Sequence, residues 1–412
     1  MTKRKTVLVI GMADSIHVAR WLKQFVNENI DFFLVPSRKY RNMNWELDTL
    51  FQSKSIARYN FITPLKINFL QGYLDFLKYE ILAKIFKRLT RSNNLIELVR
   101  QYNFTYIHAL ELQGAGYLLN YVPSILLGKS KIIVTNYGSD IYYYKNSAKD
   151  VNLIRKTLSR ADFYSAECER DYALAQELGF NGRNLPCIPC AGGFDLSKYR
   201  TNFMPPSKRN QIIIKGYGGV FGRADIPIKL IEGISIEFPT VDFFIYSLTK
   251  ELESIINGFP PNLKQRVKVS QVRNRLKHHR IIHEFMQSRI YVGCSEGDGI
   301  STSFLESLIT GAYPIQTSTS CASEWVSRGA ICSIVPLDSD QVLQSIRQAL
   351  QSNQLVDRAS EENFKMAQKY LNYEVIQEEA LKFYRAKSPN YLELYFKNNE
   401  SIICTDSGLL IG

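Results

Sequence analysis

Two series of short apolar segments, three to six residues each and alternating with stretches of helical periodicity, constrain this chain more than any other feature. The first series is 6–10 (TVLVI), 30–35 (IDFFLV), 106–108, 131–135 (KIIVT) and 161–166 (ADFYSA). The second is 211–215 (QIIIK), 241–246 (VDFFIY), 267–269, 289–292 (RIYV) and 313–316 (YPIQ). Unbroken β-branched runs suit strands covered on both faces. Ser15 is placed to cap a helix in which Val18, Trp21, Leu22 and Phe25 share one face. Strand–helix–strand order implies parallel sheets with right-handed crossovers. The expectation is an α/β chain of two tandem doubly wound domains facing a central cleft, because 412 residues exceed what one core sustains. The boundaries read from the sequence are 1–195, a Pro- and Gly-bearing linker 196–210, 211–370, a helix in 371–388 returning to the first domain, and a tail 389–412.

Composition narrows the function. The net charge of +12 fits phosphorylated substrates, anionic membrane or nucleic acid, and equally a merely solvated basic surface. Nucleic acid is discounted, since no basic stretch interleaved with aromatics and no binding module is present. The longest apolar stretch, 116–127, is too short to span a membrane and contains Asn120 and Pro123. The opening residues lack a signal-peptide core, so a cytoplasmic location is expected. Seven scattered cysteines include a lone Cys187-x-x-Cys190 without a second ligand pair, and are read as free thiols; no metal site is expected.

The stretch 295–306 (SEGDGISTSFLE) follows a strand and opens a helix. Small residues at Gly297, Gly299, Ser301 and Ser303 admit close approach of a ligand to the backbone. The unpaired N–H groups of the first helical turn, with the helix dipole, suit a diphosphate. Glu306, about one turn further in, can accept hydrogen bonds from both hydroxyls of a ribose.

These residues resemble the retaining glycosyltransferases of family 4, whose signature is two acids separated by seven residues. Here Asp298 and Glu306 have that spacing and are followed by "LESLITGAYPI". The resemblance implies the GT-B architecture, two Rossmann-like domains. It also implies that Glu306 holds the ribose and that Asp298, or Glu296 in its place, faces the donor sugar. Gly299, Ile300, Ser301, Thr302 and Ser303 would line the donor site. "IIIKGYGGVFGRADIPIK" resembles the family segment that supplies cations to the departing diphosphate, which points to Arg223 first and to Lys215 or Lys229 second. Such cations are needed because negative charge grows on the leaving phosphate.

The first half resembles the family more loosely. "VLVIGMADSIHVARWLKQF" places Gly11 and His17 at the acceptor side, where His17 either bonds the acceptor or caps its helix. "TNYGSDIY" places Gly138 and Asp140 beside the sugar, with an ordinary turn aspartate as the alternative. No cofactor is implied; the donor is a substrate, a UDP-sugar ahead of a GDP-sugar, and the acceptor is a sugar or a lipid-linked sugar. The family is largely metal-independent. The stretch 65–91 is basic and amphipathic, which fits either an anionic membrane surface at the inner face of the plasma membrane or an ordinary helix with a solvated side. A nucleotide-sugar epimerase and a non-catalytic nucleotide-sugar-binding protein are the competing readings.

Overall fold

The computed structural model describes residues 5–40, 42–52, 59–61, 95–200, 203–219, 221–274 and 276–385. The basic stretch 65–91 and the tail 389–412 lie outside them.

Two wholly parallel sheets organise the described residues. The first contains β1 (Lys5–Gly11), β2 (Ile30–Pro36), β3 (Tyr59–Phe61), β4 (Tyr106–Leu110), β5 (Lys131–Thr135), β6 (Phe163–Ser165) and β7 (Arg183–Asn184), in the order β3-β2-β1-β4-β5-β6-β7. The second contains β8 (Gln211–Lys215), β9 (Asp242–Leu248), β10 (Val267–Gln271), β11 (Ser288–Gly293), β12 (Tyr313–Thr317) and β13 (Ser333–Val335), in the order β10-β9-β8-β11-β12-β13. This is the doubly wound pair that the alternating pattern predicts.

The apolar runs are continuous because both sheet faces are covered. In β1, Leu8 and Ile10 enter a core with Leu98, Val99 and Leu118, whereas Val7 and Val9 enter another with Val18, Leu22 and Phe383. In β8, Ile212 and Ile214 face one core and Ile213 the other. A strand's two-residue period thus divides its side chains between two helical layers. Strand order reverses between β1 and β4 and between β8 and β11. Ligands of such sheets bind beyond the carboxyl ends of the strands at these reversals.

The helix Tyr373–Phe383 packs on the first domain through Ile376, Ala380 and Phe383. Just past its end, Tyr384 accepts a hydrogen bond from Trp21 Nε1 (2.9 Å), and its hydroxyl lies 2.9 Å from His108 Nδ1. His108 Nε2 is 2.8 Å from Thr135 Oγ1. Burial pushes the His108 pKa down to about 3, so the imidazole stays neutral and ties β4 and β5 to the returning chain. Among the described residues no helix is long and apolar enough to cross a membrane.

Candidate functional site

After β11 the chain runs through 294–301 into the helix Thr302–Thr310. The loop is pinned at several points. Ser295 N donates to Thr317 Oγ1 (3.1 Å), Gly299 N to Asp298 Oδ1 (2.9 Å), and Cys321 N to Gly299 O (2.9 Å). Gly311, at φ 88°, ends the helix in the left-handed conformation that glycine tolerates. Residues 303–310 are all buried, so this helix is held on every side.

Lys215, the last residue of β8, reaches across to this loop. Its Nζ donates to Ser301 Oγ (3.4 Å) and stands 4.0 Å from Asp298 Oδ2. Burial, the largest single influence, lowers its pKa, but Asp298 together with Tyr291, Tyr217 and Glu306 outweighs it and the ammonium is held above the usual lysine value. A cavity of about 210 Å³ opens here, bordered by Lys215, Ser295, Gly297, Asp298 and Ser301, with Ser139 from the first domain. Arg223 is held by two acids: Asp225 at 3.0 and 3.3 Å and Glu296 at 2.7 Å. Those bonds raise its already high pKa. Lys229 is 64% exposed, its ammonium 3.9 Å from Asp225. Of the three cations named from sequence, Lys215 borders the cavity, Arg223 is engaged by carboxylates, and Lys229 faces solvent.

Glu306 is buried to 3% exposure, and its Oε1 lies 2.6 Å from His278 Nε2. Its Oε2 makes no hydrogen bond to any described residue. Arg20, from the first domain, places Nη2 3.4 and 3.2 Å from the two ring nitrogens of His278.

On the opposite wall, Gly11 ends β1, and a Cβ there would come within 3.0 Å of Val18. His17 N donates to Ser15 Oγ (3.2 Å), and the ring's Nδ1 lies 3.1 Å from Cys190 O, which requires a proton on Nδ1. Burial and the nearby Arg20 charge depress its pKa to about 4. Asp140 Oδ2 accepts from Leu112 N (3.0 Å) and Tyr137 N (3.1 Å), joining the loops after β4 and β5. Burial, then the Glu111 charge, raises its pKa to about 8.

No family model matches the chain, and no curated protein matches it. Solved structures match nearly end to end. Sucrose-phosphate synthase from Thermosynechococcus elongatus is 13% identical, with 93% of this chain and 98% of that chain covered and a TM-score of 0.65. HepE from Anabaena, solved with UDP and glucose, is 14% identical over 92% of this chain and 99% of that one, at a TM-score of 0.66. TarM is 9% identical over 93% and 99%, at 0.68. The chain has the GT-B fold.

In this GT-B cleft several contacts link the walls through residues that sequence reasoning did not single out. Glu167, after β6, accepts Ile300 N at Oε1 and Cys190 N at Oε2, both at 3.2 Å. Arg170 Nη2 donates to Asp298 O (3.1 Å). Glu324 accepts the N–H groups of Glu169 and Arg170 at 3.0 and 3.2 Å, capping the helix Glu169–Glu177 across the cleft. Glu111 sits at φ 104°, a strained value for a side-chain-bearing residue, held by Ser37 Oγ, Gly114 N and Ala115 N at 2.7, 3.0 and 3.0 Å.

Gly138, at φ 58°, and Gly299 abut where the walls meet. A Cβ on Gly138 would lie 2.1 Å from Gly299 N; one on Gly299 would lie 2.4 Å from Glu167 Oε1. Gly299→Ala should therefore force the seam apart while leaving both domain cores packed. A larger radius of gyration is expected with little change in melting temperature. Small-angle scattering with thermal melting checks this; a wild-type radius would refute it.

Burial and the Asp298 charge raise the Glu167 pKa to about 8, as burial and Glu111 do for Asp140. Both folded values exceed the unfolded ones. The folded state then holds protons that the unfolded chain has released, and stability falls as pH rises from the unfolded carboxylate range through about 8. Calorimetric melting at constant ionic strength should show the midpoint dropping by a few degrees between pH 6 and 9. A flat or rising profile would contradict these assignments.

Proposed function

We propose that this protein is a glycosyltransferase that moves a sugar from a nucleotide diphosphate, a UDP-sugar ahead of a GDP-sugar, to an acceptor with retention of anomeric configuration. The observation that carries the reading is the cavity beyond β8 and β11. There Lys215 Nζ and Ser301 Oγ meet at 3.4 Å at the start of a buried helix, and that helix also carries Glu306. A cation, a hydroxyl and helix-initial N–H groups suit a diphosphate, and a buried carboxylate with one oxygen unbonded among the described residues suits a ribose. HepE, of the same fold, was solved with UDP and glucose.

In the proposed reaction the bond from sugar C1 to the β-phosphate oxygen breaks while C1 takes on cationic character. Charge grows on the leaving phosphate, and Lys215 stabilises it from the cavity wall. Arg223 would assist if it exchanged one of its two carboxylates for phosphate. The acceptor oxygen bonds to C1 on the face the phosphate leaves, and its proton passes to a phosphate oxygen. That same-face course is what the resemblance to the retaining family supports.

The acceptor is proposed as a sugar or lipid-linked sugar used in cell-surface polysaccharide or glycolipid assembly, at the cytoplasmic face of the membrane. Cosedimentation with anionic vesicles at low salt tests the membrane part, and its failure would remove that part alone. The reaction itself is tested by screening UDP- and GDP-sugars with simple acceptors and reading the product anomer by NMR. Acceptor-dependent turnover with the donor's anomeric configuration preserved is expected. Inversion, or conversion of the donor without acceptor, would overturn the reading.

A further inference from the structure

We propose that His278 is a positioning residue for the nucleotide ribose and that Arg20 of the opposite domain holds it in place, making the nucleotide subsite a product of both domains. The proposal rests on the reading of Glu306 as the ribose acceptor.

A carboxylate buried to 3% exposure needs its orientation fixed if it is to meet two hydroxyls. His278 fixes it. An ionised carboxylate only accepts, so the 2.6 Å contact is an Nε2–H donated to Oε1. That bond is charge-assisted and short, and it locks the rotation of the carboxylate about its last bond. Each carboxylate oxygen can accept twice, so Oε2 and the second lone pair of Oε1 remain for the ribose. His278 is itself anchored, as the first residue of the helix Ile282 and Phe285 bury against the second domain.

Arg20 supplies the interdomain part. Its Nη2 stands at nearly equal distances, 3.4 and 3.2 Å, from Nδ1 and Nε2. An atom in the ring plane at those distances would collide with a ring carbon, so the guanidinium lies over the ring face. This leaves the in-plane Nε2–H free for Glu306. Arg20 Nη1 meanwhile donates to Ala191 O at 3.1 Å, which ties the guanidinium to the first domain. The order of contacts is therefore first domain, Arg20, His278, Glu306, ribose.

The test compares UDP with 2′-deoxy-UDP by calorimetry in the full chain. Wild type is expected to bind UDP about tenfold more tightly than the deoxy nucleotide, the worth of one hydrogen bond to a charged group. Glu306→Ala should bring that ratio to about one. His278→Ala should bring it to about threefold or less, and His278→Gln, which restores an N–H donor, should recover most of the wild-type ratio. Arg20→Ala should lower the ratio in the same direction. A packing role for His278 would weaken both nucleotides equally and leave the ratio alone. If His278→Ala keeps the wild-type ratio while Glu306→Ala loses it, the positioning role is wrong and the ribose reading stands. An unchanged ratio in Arg20→Ala removes Arg20 from the chain of contacts. Should wild type not discriminate between the nucleotides, or bind neither, the ribose reading fails and takes the proposal with it.

Discussion

Replacing Lys215 with alanine is expected to lower kcat by about 10²–10³-fold with a much smaller change in donor KM. The ammonium closes β8 at the point where the strand order of the second sheet reverses, and it faces Asp298 and Ser301 across the cavity. In the proposed reaction, phosphate charge in the bound donor is already partly met by helix-initial N–H groups. The extra charge that appears as the glycosidic bond breaks is what Lys215 is placed to meet, so its loss falls on the chemical step. Partial burial strengthens that interaction relative to a surface lysine. Lys229→Ala, which removes an exposed ammonium, should leave kcat within about threefold of wild type. Steady-state kinetics with the donor varied distinguish the two variants. Equal effects, or a Lys215→Ala enzyme within threefold of wild type, would remove Lys215 from the reaction.

Glu306→Ala is expected to act on the other quantity. Hydrogen bonds to a charged group are worth about 1.5–3 kcal/mol, so losing the ribose acceptor should weaken donor binding roughly 10- to 100-fold. The ribose is remote from the breaking bond, so kcat at saturating donor should change less than KM. The folded state also loses the acceptor of His278 Nε2. A partly exposed imidazole can turn to water instead, so the melting temperature should fall by only a few degrees. Calorimetric titration of UDP and thermal melting separate the binding loss from any stability loss. UDP affinity within twofold of wild type would show that Glu306 does not touch the nucleotide.

The sequence discloses the long central strands because each is five to seven residues long, rich in apolar residues and buried on both faces. β3, β7 and β13 escape such a reading. They hold two or three residues each and lie at or near sheet edges, too short to express a period. At the site, the carboxylates Asp298 and Glu306 are legible because loop and helix carry them in one continuous stretch. Lys215 is legible for the same reason, ending a strand. The sequence ranks Arg223 ahead of it; in the fold Arg223 lies between Asp225 and Glu296, the latter 73 residues away. The wall-to-wall contacts are invisible in one dimension. Glu167 meets Ile300 across 133 residues, and Arg20 meets His278 across 258. Nothing local marks these side chains, and the strained backbone of Glu111 is likewise a tertiary property that residue type alone would argue against.

A crystal structure of the protein grown with UDP tests the central claim most directly. The account predicts the diphosphate within about 3 Å of Lys215 Nζ and the first N–H groups of the helix Thr302–Thr310, with the ribose hydroxyls on the Glu306 carboxylate. UDP bound elsewhere, with that cavity unfilled, would contradict it.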